Sequence, residues 1–312
     1  MSDLLKNIDA RTKLAGTNKL EILMFSLGMD KHSKREETFG INVFKVREVM
    51  RVPEITRAPE MPKSVEGMVS LRGALVPVID LTKYIGIETD CKPDIMIVTE
   101  YNGQTQGFLV KAVDNILRLD WSAMRVPPAM LLAKMGGLVT AITELKDGRL
   151  VMMMDVEKVL SETSHYDDDK IFQSVQPLGK ERMVFFVDDS SVARVQISRT
   201  LDAMQVKYIS AINGYQAWAE LVKMADNADA MGERLKDTLQ VILTDVEMPE
   251  MDGYMLTRKI KADKRFAGIP VLMHSSLSSS SNQQLGKTVG VDEYVPKFEP
   301  EKLAQTLKRL LA

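Results

Sequence analysis

Between Leu20 and Asp155 the apolar residues come in short runs separated by turn signals, a pattern of strands rather than of long helices. Leu20–Leu27 is rich in apolar residues and Thr38–Val43 in β-favouring ones. Val65–Leu71 and Ala74–Ile79 flank a tight Arg72-Gly73 turn. Ile95–Glu100 and Gln106–Ala112 bracket Asn102-Gly103, and Val139–Glu144 and Arg149–Met154 bracket Asp147-Gly148. Such dipeptides predict hairpins, because both central residues of the favoured turn take positive φ. The spacing within Val43–Met50 and Leu81–Ile85 predicts brief helices. Short strands, frequent turns and few helical stretches describe a small barrel or a pair of barrels.

The pattern changes near Ser161. Asp167, Asp168 and Asp169 form a charge run, and Pro177 and Gly179 follow, so residues 166–180 are expected to be an exposed linker with a short ordered piece at Ile171-Phe172. From Arg182 onward strands and helices alternate. Met183–Val187, Tyr208–Ala211, Val241–Thr244, Val271–His274 and Glu293–Val295 read as strands. Helices are predicted from Ser191 to Met204, with Val192, Val195 and Leu201 on the apolar side, and from Gly214, with Ala217, Trp218, Leu221 and Met224 at helical spacing. Tyr254–Ala262, Ser279–Val289 and Glu299–Leu311 supply the remaining helices, and Asp226–Thr238 a helix extension or insertion. Five βα units of this kind predict a parallel sheet covered by helices on both faces.

At 312 residues the chain is expected to hold two domains, and its 45% hydrophobic and 27% charged residues suit an ordinary globular protein. The net charge of −2 and the lack of a long basic stretch argue against a nucleic-acid surface. A single cysteine, Cys91, excludes an intramolecular disulfide and fits a reducing compartment. No apolar run approaches the roughly 18 residues of a membrane span. The first fifteen residues, with Asp3, Lys6, Asp9, Arg11 and Lys13, lack the apolar segment of a secretory signal. A cytoplasmic protein without membrane insertion is expected. The 21 methionines read as flexible core filler or as an adaptable binding surface.

Chemistry concentrates at the predicted strand ends of the second half. Strand one ends in Asp188-Asp189, strand three in Asp245, strand four in His274-Ser275-Ser276, and Lys297 follows strand five. In a doubly wound sheet of order 2-1-3-4-5, strands one and three are neighbours, so three carboxylates converge. They repel unless a cation neutralises them, and an all-oxygen set without His or Cys points to Mg²⁺ or a similar hard ion. A carboxylate beside such an ion can attack phosphorus and carry an aspartyl phosphate. Each piece has a plainer explanation. Asp188-Asp189-Ser190-Ser191 can simply cap a helix, Met248-Pro249 through Asp252-Gly253 can be a turn, Ser275–Ser281 a flexible loop, and Lys297 a solvated lysine. Their joint occurrence, each at a strand end, is what those explanations account for poorly.

With these residues in place, the second half resembles a two-component receiver domain. The acidic pair corresponds to Asp188 and Asp189, and the phosphoacceptor to Asp245 in its Asp-x-x-Met-Pro-x-Met-Asp-Gly setting. The switch hydroxyl corresponds to Ser275, the lysine to Lys297 and the switch aromatic to Tyr294. The first half resembles a CheW-like coupling domain through Phe39-Gly40-Ile41, Val46-Arg47-Glu48-Val49, the stretch from Gly67 through Gly73 and Pro77 to Leu81, and Gly107-Phe-Leu-Val110 with Val113. A CheW-like domain (17–165), a linker (166–180) and a receiver (181–312) make the architecture of CheV-type chemotaxis proteins. That resemblance implies an SH3-like double barrel of five-stranded units followed by a flavodoxin-like α/β domain with five parallel strands. It implies Mg²⁺ held by Asp188, Asp189, Asp245 and the backbone carbonyl of Glu247. It also implies chemoreceptors (methyl-accepting chemotaxis proteins) and the histidine kinase CheA as partners, and recruitment to membrane receptor arrays. Arg72, at a hairpin tip, is the candidate partner-binding residue. The chain departs from the common pattern in having Ser rather than Thr at 275, Pro296 before rather than after the lysine, and Lys111 where CheW-like domains are often acidic.

The expected role is that of a phosphoacceptor and adaptor rather than an enzyme, with phosphoryl transfer to Asp245 modulating coupling. A phosphate sink for the kinase is the alternative within the family. A haloacid-dehalogenase-type phosphatase also uses a strand-end Asp and Mg²⁺, but wants a second Asp two residues on, where this chain has Glu247. A DNA-binding regulator is not expected, because the first half is not basic and the last predicted helix runs to Leu311.

Overall fold

The computed structural model describes residues 19–57, 59–101, 104–163, 177–178, 181–275, 286–297 and 299–311. The described residues from Leu20 to Thr163 form one compact unit, and those from 177 onward belong to a second. The expectations placed on Asn102-Gly103, on most of the 166–180 linker with Ile171-Phe172, on Ser276–Ser281 and on most of the Ser279–Val289 helix lie outside the described residues.

The first unit is built on two five-stranded sheets. β1 (Lys19–Ser26) and β2 (Thr38–Asn42) open one sheet. The chain then lays down β3 (Val46–Arg51), β4 (Val65–Leu71), β5 (Ala74–Asp80), β6 (Ile95–Tyr101) and β7 (Gln104–Val110) in the other. It returns to the first with β8 (Ala112–Asp120), β9 (Val139–Glu144) and β10 (Leu150–Met154). The resulting orders are β8-β1-β2-β10-β9 and β3-β6-β7-β5-β4. Each sheet encloses its own apolar cluster, one around Ile22, Met24, Met124 and Val151, the other around Val69, Val78, Met96 and Val98. A third cluster, with Phe25, Phe39, Ile79, Ile97 and Phe108, draws on strands of both. The helices here are α1 (Leu81–Ile85), α2 (Ala129–Lys134) and α3 (Val156–Thr163).

One expectation for this half needs correction. Val43–Met50 is not a helix: a 3₁₀ turn covers Val43–Lys45 and β3 begins at Val46. The pairing of β3 with β6 shifts register between Val46 and Glu48. This bulge places one extra residue in β3, so Val46 and Val49, three apart, both pack on the shared cluster. A bulged strand thus imitates helical spacing. Few helical stretches is what the structure has, three short helices among the described residues, although α2, α3 and the nine-residue strand β8 were not among the predicted elements.

The second unit is a parallel sheet, β12 (Lys207–Ala211), β11 (Met183–Val187), β13 (Val241–Thr244), β14 (Val271–Ser275) and β15 (Glu293–Pro296), in that spatial order. β13, at the centre, is buried throughout, because helices cover both faces. On one face α5 (Gly214–Met231), α6 (Leu235–Thr238) and α7 (Gly253–Ala262) pack against Phe185, Ile242 and Val271. On the other, α4 (Ser191–Ala203) and α8 (Pro300–Leu311) cover Val184, Phe186, Leu243 and Leu272. The segment from Asp226 resolves into the end of α5, a Gly232 cap at φ 70°, and the short α6. Leu178, expected in the linker, already packs on the α4/α8 face and donates its N–H to Met204 O at 2.8 Å. Val195 is a correction: it is 58% exposed, and the buried stripe of α4 is Ala193, Ile197, Thr200 and Leu201. Residue 195 lies about half a turn round the helix from 193. Methionines serve mainly as core, as at Met96, Met248 and Met273, although Met130 and Met231 are exposed.

Candidate functional site

Asp245 follows the buried β13 directly, and two hydrogen bonds hold its main chain. Its N–H donates to Val187 O at 2.9 Å, and its carbonyl accepts from Thr244 Oγ1 at 2.8 Å. The Asp245 side chain accepts from Val246 N at 2.6 Å through Oδ1. Gly253 then packs so closely that a Cβ there would fall inside the radius of the Asp245 carbonyl oxygen. Its N–H donates to Val246 O at 2.9 Å, closing the loop behind the strand. Asp252 caps α7 by accepting from Met255 N at 2.6 Å, and burial pushes its carboxyl above its ordinary value.

The lysine after β15 completes the centre. Lys297 anchors its main chain by donating to Ser275 O at 3.1 Å, and its ammonium reaches Asp188 Oδ2 at 2.8 Å and Asp245 Oδ2 at 2.9 Å. The three side chains are almost entirely buried, with Lys297 at 2% exposure. Asp189 joins them: Asp188, Asp189 and Asp245 each offer a carboxylate oxygen within 4.8 Å of the others. One ammonium among three carboxylates leaves an excess of negative charge. A small divalent cation with oxygen ligands fits that donor set by charge and by ligand type.

Ser275 ends β14 fully buried and is hydrogen-bonded through its side chain to Tyr294, whose phenol burial pushes well upward. Tyr294 packs with Val246, Tyr254, Met273 and Val289. Glu247 is buried, and its charge acts on the phenols of Tyr254 and Tyr294, both of which stay protonated at neutral pH. Of the residues singled out in the sequence, the fold thus brings Asp188, Asp189, Asp245 and Lys297 into one cluster, with Ser275 and Tyr294 beside it through the β14–β15 pair. Pro296 sits on an edge strand, where a missing N–H costs no ladder bond.

Arg72 belongs to the first unit. With Gly73 it takes positive φ, 52° and 85°, as a type I′ hairpin requires. Its guanidinium is 69% exposed and pairs with Glu48 Oε2 at 3.1 Å, linking the hairpin of β4 and β5 to the opposite outer strand, β3. An exposed pair of this kind is weak and exchanges readily. Lys111, the residue at an often acidic position, pairs with Asp94 at 2.6 Å.

The sequence reading missed residues that act on the backbone. Arg194 Nη1 donates to the carbonyl oxygens of Asp188 and Asp189, both at 2.8 Å. Asn213 caps α5 through Gln216 N and donates to Glu250 Oε2 at 3.0 Å, holding Glu250 in a left-handed conformation at φ 67°. A Cβ on Gly214 would strike the Met251 carbonyl, so this junction and the loop after Asp245 pack backbone against backbone. Only the Asn213-Gly214 cap signature was available to find them.

Comparison with known proteins follows the same division. The model of the CheW-like domain matches residues 22–164, and that of the response regulator receiver domain matches residues 184–308. Chemotaxis protein CheV3 of Helicobacter pylori is 31% identical over 301 residues, covering 94% of this chain and 95% of its own length. The chain belongs to the CheV family. Chemotaxis protein CheV1 of the same organism, a second CheV relative, is 28% identical over 331 residues, covering 100% of this chain and 99% of its own. Among solved structures, the scaffolding protein TtCheW from Thermoanaerobacter tengcongensis covers 44% of the chain and 84% of its own length at 30% identity, with a TM-score of 0.38. The CheV architecture places the buried acidic cluster in the receiver and Arg72 in the CheW-like domain. No helix among the described residues is long and apolar enough to cross a membrane.

Proposed function

We propose that this CheV-family chain is a phosphorylation-regulated coupling protein that links chemoreceptors to the histidine kinase CheA and accepts a phosphoryl group on Asp245. The carrying observation is the buried Lys297 ammonium spanning Asp188 and Asp245 beside Asp189. Asp188, Asp189 and Asp245, with the Glu247 carbonyl, would hold Mg²⁺, whose chemistry is to neutralise charge on the transferring group. Asp245 supplies the attacking oxygen, in a position fixed by its main-chain bonds, and its O–P bond forms as the P–N bond to the kinase's phosphorylated histidine breaks and the imidazole leaves. Lys297, already paired with Asp245, meets the added negative charge. Ser275 then exchanges its Tyr294 partner for a phosphoryl oxygen, and that exchange carries the event to the β14–β15 surface. The CheW-like domain supplies the bridging surface, with Arg72 as a contact. The chain acts as acceptor and adaptor and does not turn over a substrate.

The test is incubation with phosphorylated kinase and Mg²⁺, comparing wild type with Asp245→Ala, followed by co-sedimentation with receptor and kinase. Label on the wild type alone, with altered co-sedimentation, is expected. Equal label on the Ala variant excludes Asp245 as the acceptor. Label without any change in binding or kinase activity indicates a phosphate sink.

A further inference from the structure

Arg194 stands on α4, outside every motif that marks the acidic cluster, yet one of its nitrogens takes the carbonyl oxygens of both Asp188 and Asp189 at 2.8 Å. Consecutive carbonyls of an extended strand point in opposite directions. For a single nitrogen to reach both, the chain must leave the strand at this point, and it bends at Asp189. The Asp188 N–H is tied to Ala211 O at 3.3 Å, and its Oδ1 to Ser190 N at 2.9 Å. With both carbonyls also held, the two peptide planes on either side of Asp189 are set, and with them the directions in which the two carboxylates leave the backbone. The permanent positive charge of the guanidinium opposes a nearby cation, so a loss of cation affinity on its removal reports orientation rather than charge.

We propose that Arg194 is a positioning residue for cation binding: it aims Asp188 and Asp189 at the ion without touching it. The inference rests on the reading that these carboxylates, with Asp245, hold Mg²⁺. Groups that orient metal ligands typically change metal affinity by about 10- to 100-fold when removed. Arginine reaches both carbonyls in a fixed plane. Lysine keeps the charge and several donors but lacks that plane, and methionine keeps only the apolar stem.

The experiment uses the full chain and the metal alone. Mn²⁺ binding is followed by electron paramagnetic resonance, Mg²⁺ affinity is obtained by competition, and thermal unfolding is recorded in chelator. Arg194→Met is expected to weaken both ions about 10-fold, and Arg194→Lys to stay within about threefold of wild type. Affinities of Arg194→Met within about twofold of wild type overturn the proposal, as does a loss shared in full by Arg194→Lys. Should Arg194→Met fail to fold, Arg194→Gln, which retains an amide donor for one carbonyl, replaces it, and unchanged affinity there overturns the proposal equally. A wild-type chain that binds neither ion overturns the Mg²⁺ reading itself, an outcome distinct from equal binding by wild type and variant.

Discussion

At the scale of single residues, Gly253 shows how closely the backbone around Asp245 is built. Its importance lies in proximity rather than in an unusual dihedral, since a side chain there would occupy the position of the Asp245 carbonyl. Gly253→Ala must push the α7 start away from β13, breaking the 2.9 Å bond from Gly253 N to Val246 O. Overpacking of this sort costs about 3 kcal/mol, and urea unfolding of the variant should show a loss of that order. Its neighbour Asp252 gives a pH signature. Burial raises its carboxyl above its ordinary value, so the folded chain binds this proton more tightly than the unfolded chain. The associated stability is fully present below the unfolded value, near 3.9, and is lost as pH rises through the folded one. Asn also caps helices but does not titrate, so Asp252→Asn removes this dependence. The stability difference between wild type and Asp252→Asn should move in favour of wild type on acidification from neutral pH, and a difference independent of pH counts against the buried carboxylate.

At the scale of elements, legibility followed the kind of contact each residue makes. The parallel strands were plain in the sequence because burial on both faces demands unbroken apolar runs, as in Val241–Thr244. The Asp188, Asp189, Asp245 and Lys297 cluster was legible because carboxylate and amine side chains carry the chemistry themselves. Arg194 and Asn213 were not, because they act on backbone atoms, and Gly253, although part of the Asp245 motif, read only as a turn residue. β3 was misread since its bulge imposes a three-residue spacing on a strand. The helix α3 was overlooked at the edge of the presumed linker, although Asp155 before it is a cap. Its Oδ1 accepts from Glu157 N at 3.0 Å and Lys158 N at 3.1 Å, and Val156 and Val159 enter the core shared by both sheets. Asp155→Ala leaves these two N–H groups without that acceptor and should cost about 1 kcal/mol. Hydrogen exchange should rise in α3 while that of the parallel sheet stays unchanged. Uniform acceleration across the chain would contradict a local cap.

At the scale of the whole molecule, the proposed function raises the question of how far one phosphoryl group on Asp245 would move a coupling protein. Inverting a two-state equilibrium from 1:99 to 99:1 takes about 5.5 kcal/mol of differential stabilisation. The receiver offers two exchanges: Ser275 leaving Tyr294, and Lys297 trading a carboxylate partner for a phosphoryl oxygen. A neutral hydrogen bond contributes about 1 kcal/mol net and a charged one about 2 kcal/mol. Even if the bonds given up cost nothing, the two exchanges supply at most about 3 kcal/mol, which corresponds to a shift of at most about 150-fold at 25 °C. This falls short of full inversion by nearly two orders of magnitude, so phosphorylation is expected to grade the coupling rather than toggle it. The measurement is the affinity of the chain for the kinase, with and without phosphate on Asp245. A change of up to about 150-fold fits the two exchanges. A change beyond about 1,000-fold requires further contacts, and the candidates are those that hold the loop after Asp245: the Asn213 bond to Glu250 and the close approach of Gly214 to Met251. Repeating the measurement with Asn213→Ala separates the two cases, because only a response that passes through that loop should shrink.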